Sequence, residues 1–465
     1  MFQMAKRVLL ACFGLLIVLV VGVYLWLNPG RGPREHVDPY ARGWAEEVDG
    51  TLVLHLKGTP YEIGYQRGYF GRDKVRLTMD IFNTLLKQAQ EEMGLPRFAV
   101  NLVLDATYQL CAPHIPERYK REMEGLADAT GFDLKTIRRG QILSVLTERG
   151  CSSFAVWGRA TADGALFHGH NFDWITSAGL EDTGVLFIVE PEGLHPFAAP
   201  GYAGLIGVLS GMNMEGLSVG MIGAITEDKS LRGLPLELTL RRVLEECGDL
   251  DEVTALIKNV RRTVGFNYVV ADGDARDARV YETTHRHVVV FGPNDPRETV
   301  EYAVPIEDAV FRSDEAMDPL VRSLQRCANA PNLPYGSNSY DHRYLGIANR
   351  VREHYGVIDQ NIALEILKAT AMRNANLHAM LTNSTTREMW VARAVNGQNA
   401  SEQRFVRYDL NRLFLRPDER PAPEPELEDE TDPGTEQGVP EGEEDAETPT
   451  EATSDAPPEE APAQE

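Results

Sequence analysis

A cysteine that directly follows a glycine, with two polar residues further along the chain, is the part of this sequence that could carry out chemistry. Cys151 follows Gly150, and Asn171 and Asp173 lie in the sequence Phe167-His-Gly-His-Asn-Phe-Asp173. A thiol has an ordinary pKa of about 8.5 and an α-amino group one of about 7.7–8.0, so a cysteine at a chain terminus carries its own general base. Gly150 has no Cβ and can take the strained backbone that attack on its carbonyl would require. We therefore predict that the chain cuts itself between Gly150 and Cys151, and that Cys151 then attacks amide bonds.

Simpler interpretations of the same residues stay open. Cys151 could be a buried strand cysteine, which is the usual place for a lone thiol. His168 and His170 share one face of a strand, but the sequence shows no third ligand, so no metal is expected. The five cysteines contain no CxxC pair, and no glycine-rich phosphate loop is visible. We expect no cofactor, no zinc site and no disulfide framework.

Composition separates a globular body from an acidic tail. The chain has 465 residues, of which 43% are hydrophobic, which is enough for a sizeable core. Residues 421–465 hold 17 Asp and Glu and no Lys or Arg, so the body itself is only mildly acidic. No nucleic-acid partner is therefore expected. From about residue 416 the chain is rich in Pro, Glu, Thr and Asp, and we predict a disordered acidic tail over 416–465.

The N-terminus contains an apolar run that predicts a membrane anchor. Val8–Leu27 is a continuous apolar stretch of 20 residues that follows Lys6 and Arg7, and a helix of that length spans a bilayer core of about 30 Å. The run ends in aromatic residues rather than in a cleavage site. We predict an uncleaved transmembrane helix within residues 1–30, a stem over 31–50, and a body outside the cytoplasm, periplasmic or extracellular.

The rest of the chain divides into a mostly helical segment, 51–150, and a β-rich core, 151–415. Strands are predicted in the core at 152–157, 165–170, 184–190, 203–209, 216–222, 266–271, 278–283, 286–292, 377–382 and 388–394. Helices are predicted at 236–247, 251–260, 344–355 and 361–372. Runs of strands, then helices, then strands again favour an α+β fold of packed antiparallel sheets over a βαβ pattern.

Several motifs together resemble the N-terminal-nucleophile cysteine hydrolases. They are Cys151–Phe154, Gly169–Trp174 and Gly211–Leu217, joined upstream by Gly58–Gly68 and Glu124–Ala127. The pattern is most similar to the autoproteolytic acyltransferases of peptidase family C45, typified by the penicillin-forming acyl-CoA:6-aminopenicillanic acid acyltransferase. Bile salt hydrolases and acid-ceramidase-type amidases are more distant. The resemblance covers roughly residues 50–400 and implies a four-layer αββα sandwich.

The resemblance also implies roles for individual residues. Cys151 matches the nucleophile, Asp173 the acid that holds the terminal amine and thiol, and Asn213 the amide donor to the oxyanion. Arg350 falls where the family has an arginine that supports the nucleophile. Structural roles stay open for each: Asp173 could cap a turn, Asn213 could occupy a left-handed turn, and Arg350 could lie on a helix surface.

Two further active-site positions of the resembled family have no unique counterpart in this sequence. Asn329 resembles a second active-site asparagine, and Asn267 competes with it for that role. His170 stands where bile salt hydrolases carry an arginine, which argues against bile-salt specificity, and a histidine there could titrate near neutral pH.

The function predicted is that of a self-processing cysteine amidohydrolase or acyltransferase. It would act on the amide C–N bonds of small N-acyl compounds through a thioester, and the fragments 1–150 and 151–465 would stay associated. Two alternatives remain: an uncut, non-catalytic membrane-anchored scaffold, and a lipid amidase or peptidase at a membrane surface.

Overall fold

The computed structural model describes residues 18–19, 21–142, 150–174, 176–224, 226–325 and 336–421. The described residues up to Arg420 belong to one compact unit. Within these ranges, no helix has both the length and the apolar character needed to cross a membrane. Positions 8–17 and 20 of the predicted anchor, and 422–465 of the predicted tail, lie outside the described residues.

Two β-sheets form the centre of the described structure. In the nine-stranded sheet the spatial order is β1 (Trp44–Val48), β2 (Thr51–Gly58), β5 (Gly184–Pro191), β6 (Phe197–Tyr202), β7 (Ser210–Asn213), β8 (Leu217–Gly223), β9 (Phe266–Asp272), β10 (Asp277–Thr283) and β11 (Val288–Phe291). In the six-stranded sheet it is β12 (Ala309–Arg312), β3 (Gly150–Val156), β4 (Phe167–Asp173), β13 (Asn376–Asn383), β14 (Glu388–Arg393) and β15 (Val406–Asp409). Neighbouring strands are antiparallel except β2 and β5, which are parallel.

The α-helices lie before, between and after the strands. They are α1 (Pro60–Phe70), α2 (Arg72–Met93), α3 (Arg97–Cys111), α4 (Glu117–Thr130), α5 (Leu134–Gly140), α6 (Leu236–Glu246), α7 (Leu250–Asn259), α8 (Pro319–Ser323), α9 (Gly336–Glu353), α10 (Gln360–Ala369) and α11 (Leu410–Leu413). The α+β class predicted from the sequence is confirmed.

The two sheets pack face to face, with helices on their outer faces. Between the sheets, His168 Nδ1 lies 2.7 Å from Ser218 Oγ, which joins β4 to β8. On the outer face of the six-stranded sheet, Asn171 Nδ2 donates to the carbonyl of Leu367 in α10 at 2.8 Å. Because successive side chains of a strand point to opposite faces, each central strand serves both the sheet interface and a helix layer.

The upstream motifs build a close crossing of α1 and α4. Thr59 caps α1 in a capping box with Glu62, and Pro60 occupies the first turn. A Cβ at Gly64 would lie 1.9 Å from the carbonyl oxygen of Glu122, and one at Gly125 would lie 2.2 Å from that of Tyr61. The glycines of both motifs are therefore required for the helices to touch.

Most predicted strands and helices are confirmed, with three kinds of difference. The strand predicted at 203–209 is wrong, because β6 ends at Tyr202 and β7 begins at Ser210. The predicted stem contains β1, which pairs with β2 at the edge of the nine-stranded sheet. β6, β7, β12 and β15 fall outside the predicted strands. Of these, β7, β12 and β15 have only four residues each, which carry too few alternations to be distinguished from loops.

Candidate active site

Cys151 lies in β3, fully buried, on the face that meets the nine-stranded sheet. In the β3–β4 pair it stands opposite Phe172, and Gly150 stands opposite Asp173. The Cys151 backbone N–H donates to Asp314 Oδ1 at 2.9 Å. Asp314 is the second residue after β12, the neighbour of β3, so the end of one strand places a carboxylate on the nitrogen of Cys151.

Arg343 joins that carboxylate to a second one. Its Nη1 donates to Asp173 Oδ2 at 2.7 Å, and its Nη2 donates to Asp314 Oδ2. All three side chains are buried. A planar guanidinium that bridges two carboxylates fixes their separation and direction, which a lysine could not do.

Further hydrogen bonds hold Asp173 from the other side. Its Oδ1 accepts from the backbone N–H of Met372 at 3.2 Å and from Asn376 Nδ2 at 2.9 Å. Asn376 Nδ2 also lies 3.3 Å from Asn171 Oδ1. Both oxygens of Asp173 therefore have donors, as a buried carboxylate requires.

Burial governs the protonation of this cluster. It raises the pKa of Asp314 to about 6 and raises that of Asp173, although Arg343 opposes both shifts. Burial also raises the pKa of the Cys151 thiol, and the negative charges of Asp314 and Asp173 raise it further. In the uncut chain the thiol is therefore held in its protonated form.

The arginine at the site is Arg343, which corrects the assignment of Arg350 to that place. Arg350 is half-buried, and its Nη1 donates to the carbonyl of Gly346 one turn earlier in α9. Both arginines belong to the same helix. Only Arg343, nearer the start of the helix, meets the ends of β4 and β12.

Asn213 does not have the surroundings expected of an oxyanion donor. Its Nδ2 donates to the carbonyls of Leu244 at 3.1 Å and Cys247 at 2.9 Å, and its Oδ1 accepts from Leu217 N–H. Ser210 of the same strand bonds to His378 across the sheet interface, so Asn213, three residues later, lies on the opposite face. The structure corrects its role to closing the C-terminal end of α6.

Asn267 is the competing asparagine that faces the sheet interface. It pairs with Ile222 and therefore shares the face of Ser218. Its Nδ2 lies 3.4 Å from the carbonyl of Glu315, the residue after Asp314, and its buried Oδ1 has no hydrogen-bond partner among the described residues. Asn329 lies outside the described residues.

His170 is buried and neutral rather than a group that titrates near pH 7. Burial lowers its pKa to about 4, and its Nε2 lies 2.6 Å from the carbonyl of Met221. Ser218 lies in a Gly-x-Ser-x-Gly pattern, Gly216–Gly220. Since it stands inside a buried strand and not at a turn, its contact with His168 links the sheets and forms no nucleophile elbow.

Sequence reasoning missed Asp314, Arg343 and Asn376. A signal existed for the first, because Ser313-Asp314-Glu315 places polar residues directly after a β-like run. For Asn376 and Arg343 the residue type alone gave no indication. Their contacts arise from chain segments that are distant in sequence.

The structure also contains an apolar cavity of about 420 Å³, whose wall includes the two sequence neighbours of Asp173. Phe172 and Trp174 line it from the six-stranded sheet side, and α2 and α3 supply another wall that includes Leu86 and Leu104. Because Phe172 stands opposite Cys151, the cavity wall includes the cross-strand neighbour of the buried thiol. Among the described residues, no group of three or more His, Cys, Asp or Glu is placed to hold a metal ion.

Several known proteins are similar to this chain. Protein dcd1A of Dictyostelium discoideum is 25% identical over 268 residues, which cover 52% of this chain and 61% of that protein. The chain thus spans about three fifths of that relative's length. An N-acylethanolamine-hydrolyzing acid amidase ortholog of Caenorhabditis elegans shares 14% identity, with a TM-score of 0.37 over 50% of this chain and 93% of its own. A variant of the conjugated bile acid hydrolase of Clostridium perfringens shares 16% identity, with a TM-score of 0.37 over 56% and 93%.

A family comparison covers the middle of the chain, including Asp173 of the site. Residues 159–300 match the family described as acyl-coenzyme A:6-aminopenicillanic acid acyl-transferase. The matched segment includes Asp173 and Asn213 and begins after Cys151. The resemblance predicted from the motifs is confirmed over residues 159–300, which are similar to the acyl-coenzyme A:6-aminopenicillanic acid acyl-transferase family.

Proposed function

We propose that this protein is a self-processing cysteine amidohydrolase or acyltransferase that acts on the amide bonds of small N-acyl compounds. One observation carries the proposal: the Cys151 nitrogen donates to Asp314, and Arg343 bridges Asp314 to Asp173. The nitrogen that cleavage would free already contacts a carboxylate. The relation of residues 159–300 to an acyl-transferase family supports amide and acyl chemistry.

The charges around Cys151 explain why cleavage would activate the thiol. In the uncut chain two carboxylates and one guanidinium surround it, an excess of negative charge that disfavours a thiolate. Cleavage would free an amine on the same nitrogen, which becomes an α-ammonium when it takes up the thiol proton. This added positive charge, held by Asp314, would offset the excess and lower the pKa of the thiol beside it.

The self-cleavage step balances without any co-reactant besides water. Cys151 Sγ attacks the Gly150 carbonyl carbon, the C–N bond breaks, and the nitrogen takes up the thiol proton as it becomes an amine. The resulting thioester joins Gly150 to Sγ. Water then hydrolyses it, which releases the Gly150 carboxylate and restores the thiol.

Turnover would repeat this chemistry on a substrate amide. The freed amine accepts the thiol proton, Sγ attacks the acyl carbon, and the tetrahedral oxyanion collapses with departure of the substrate amine, which takes that proton. Water, or a second amine in acyl transfer, then attacks the thioester. Asn267 is the amide that we propose as an oxyanion donor in place of Asn213, since it faces the sheet interface next to Glu315.

We further propose a four-layer αββα sandwich of the N-terminal-nucleophile type, in which fragments 1–150 and 151–465 stay associated. The support is that β2, upstream of the cut, is hydrogen-bonded to β5, downstream of it, over residues 53–58 and 186–191. A location outside the cytoplasm stays a prediction from the sequence alone.

The proposal is tested by intact-mass and N-terminal analysis of the purified protein beside Cys151→Ala. We expect a fragment that starts at Cys151 in the wild type alone, and hydrolysis of N-acyl amides by the wild type alone. A cut that persists in Cys151→Ala would assign the cleavage to another protease. An uncut wild type without turnover would favour the scaffold alternative.

A further inference from the structure

We infer that the cavity beside Cys151 receives a linear, uncharged aliphatic acyl chain, and that α2 and α3, upstream of the cut, set the chain length it accepts. The inference rests on the proposed function and deepens it. It names the acyl part of the substrate and assigns its selection to the N-terminal fragment.

The position of the cavity connects it to the chemistry. Phe172, which stands opposite Cys151 in the β3–β4 pair, forms part of the wall, and so does Trp174 two residues later. Directly opposed residues of antiparallel strands have Cβ atoms about 4.5–5.5 Å apart. An acyl carbon bonded to Sγ would therefore have the cavity as the neighbouring space for its chain.

The lining favours hydrocarbon over polar acyl groups. Gln141 has its amide committed to backbone groups, since Nε2 donates to the carbonyls of Ile137 and Gly204 and Oε1 accepts from Ile206 N–H. The hydroxyl of Tyr202 is hydrogen-bonded to His378. Polar atoms in such bonds offer little to a polar ligand, and burial of apolar surface is then the main source of affinity.

The charge of the cavity wall further restricts the class of acyl group that can bind. Glu237 is the one Asp, Glu, Lys, Arg or His among the lining residues that the structure describes. A carboxylate in an otherwise apolar wall disfavours an acyl group that carries a negative charge of its own. A neutral alkyl chain meets neither this repulsion nor an unmet need for hydrogen bonds.

The volume of the cavity limits the length of the acyl chain that it can hold. One methylene group needs about the space of one water molecule in the liquid, about 30 Å³, and the cavity measures about 420 Å³. Chains of up to about fourteen carbons would fit if the cavity is filled completely. Leu86 and Leu104 lie in the wall formed by the two helices, so the limit depends on residues upstream of Gly150.

The experiment measures kcat/KM of the self-processed protein for N-acyl amides of one amine with unbranched acyl chains of increasing length. We expect about a fourfold rise for each added methylene while it is buried, and then a plateau or fall. Leu86→Trp, which fills the cavity, should move the maximum of kcat/KM to shorter acyl chains. Leu77→Trp, on the same helix but outside the cavity and partly exposed, is the matched control and should behave as the wild type.

A second pair of variants, on α3, tests the same inference in case Leu86→Trp does not fold. Val103→Trp, at an exposed part of the cavity wall on α3, should shorten the accepted chain, whereas Leu102→Trp beside it should not. Equal kcat/KM for all chain lengths in a protein that turns over short substrates would overturn the inference and leave the proposed function standing. Self-cleavage without turnover of any member of the series would overturn both the acyl-chain inference and the proposed hydrolysis of such amides. An equal shift in variant and control would overturn the role of the two helices.

Discussion

Replacement of Arg343 tests whether the two buried carboxylates at Cys151 depend on one guanidinium. Arg343→Leu removes the bridge between Asp173 and Asp314 and leaves both carboxyl groups in a buried site. Breaking a buried ion pair by removal of one partner costs about 3–5 kcal/mol of folding free energy. We expect a loss of this size at pH 8, together with loss of self-cleavage.

The loss should depend on pH in a definite direction. Without the guanidinium the folded-state pKa of each carboxyl group rises further above its unfolded value, because burial is then opposed by fewer contacts. A raised folded pKa means that stability is greatest at low pH and is lost as the pH rises. Arg343→Leu should therefore be less destabilised at pH 5 than at pH 8, as measured by urea unfolding at each pH.

Arg350→Leu is the matched control in the same helix. Arg350 is half-buried and bonds to Gly346, so its replacement should cost no more than about 0.5 kcal/mol and leave self-cleavage intact. Arg343→Lys keeps the positive charge but cannot donate to both carboxylates through a planar guanidinium. Its loss of folding free energy should therefore lie between those of Arg343→Leu and Arg350→Leu. If Arg350→Leu blocked cleavage while Arg343→Leu did not, the assignment of the site arginine would be wrong.

Two further predictions concern Asp314 and Asn213. The folded state raises the pKa of Asp314 to about 6, so the wild type should lose stability as the pH rises from about 4 to about 6. Asp314→Asn should lack this part of the pH dependence. Unfolding free energies of both proteins across that range check the prediction, and identical profiles would contradict it. Asn213→Ala should lower the unfolding free energy by about 2 kcal/mol, because it removes the hydrogen-bond partners of Leu217 N–H and of two carbonyls. Turnover per folded molecule should stay close to that of the wild type. A large loss of turnover with normal stability would instead support a catalytic role for Asn213.

The part of the site that could be predicted from the sequence is the part that one strand pair builds. Cys151 and Asp173 lie on β3 and β4, which are adjacent in sequence and in space, so proximity along the chain becomes proximity in the fold. Asp314 and Arg343 reach the same point from a strand end and a helix that are remote in sequence. No local pattern encodes such a meeting.

The two wrong placements have specific physical causes. Arg343 and Arg350 are seven residues apart, a spacing that returns to the same helix face, so the helical pattern cannot decide which one meets the strands. Asn213 stands in a recognisable motif, but the motif does not say which face of the strand points to the other sheet. Ser210 faces the other sheet, because it is hydrogen-bonded to His378. Asn213, three residues later in the same strand, therefore points to the outer face, where it contacts α6.

Gly150 has a packing role in addition to the backbone freedom for which the sequence analysis singled it out. We predicted that Gly150 takes the strained backbone that attack on its carbonyl would require, and the structure places Gly150 in a regular strand. A Cβ there would lie 2.9 Å from Met372 Cε and 3.3 Å from Asp314 Oδ2. A larger residue would push on the carboxylate that holds the Cys151 nitrogen, so glycine is needed because it leaves room for Asp314, whether or not the attack strains the backbone.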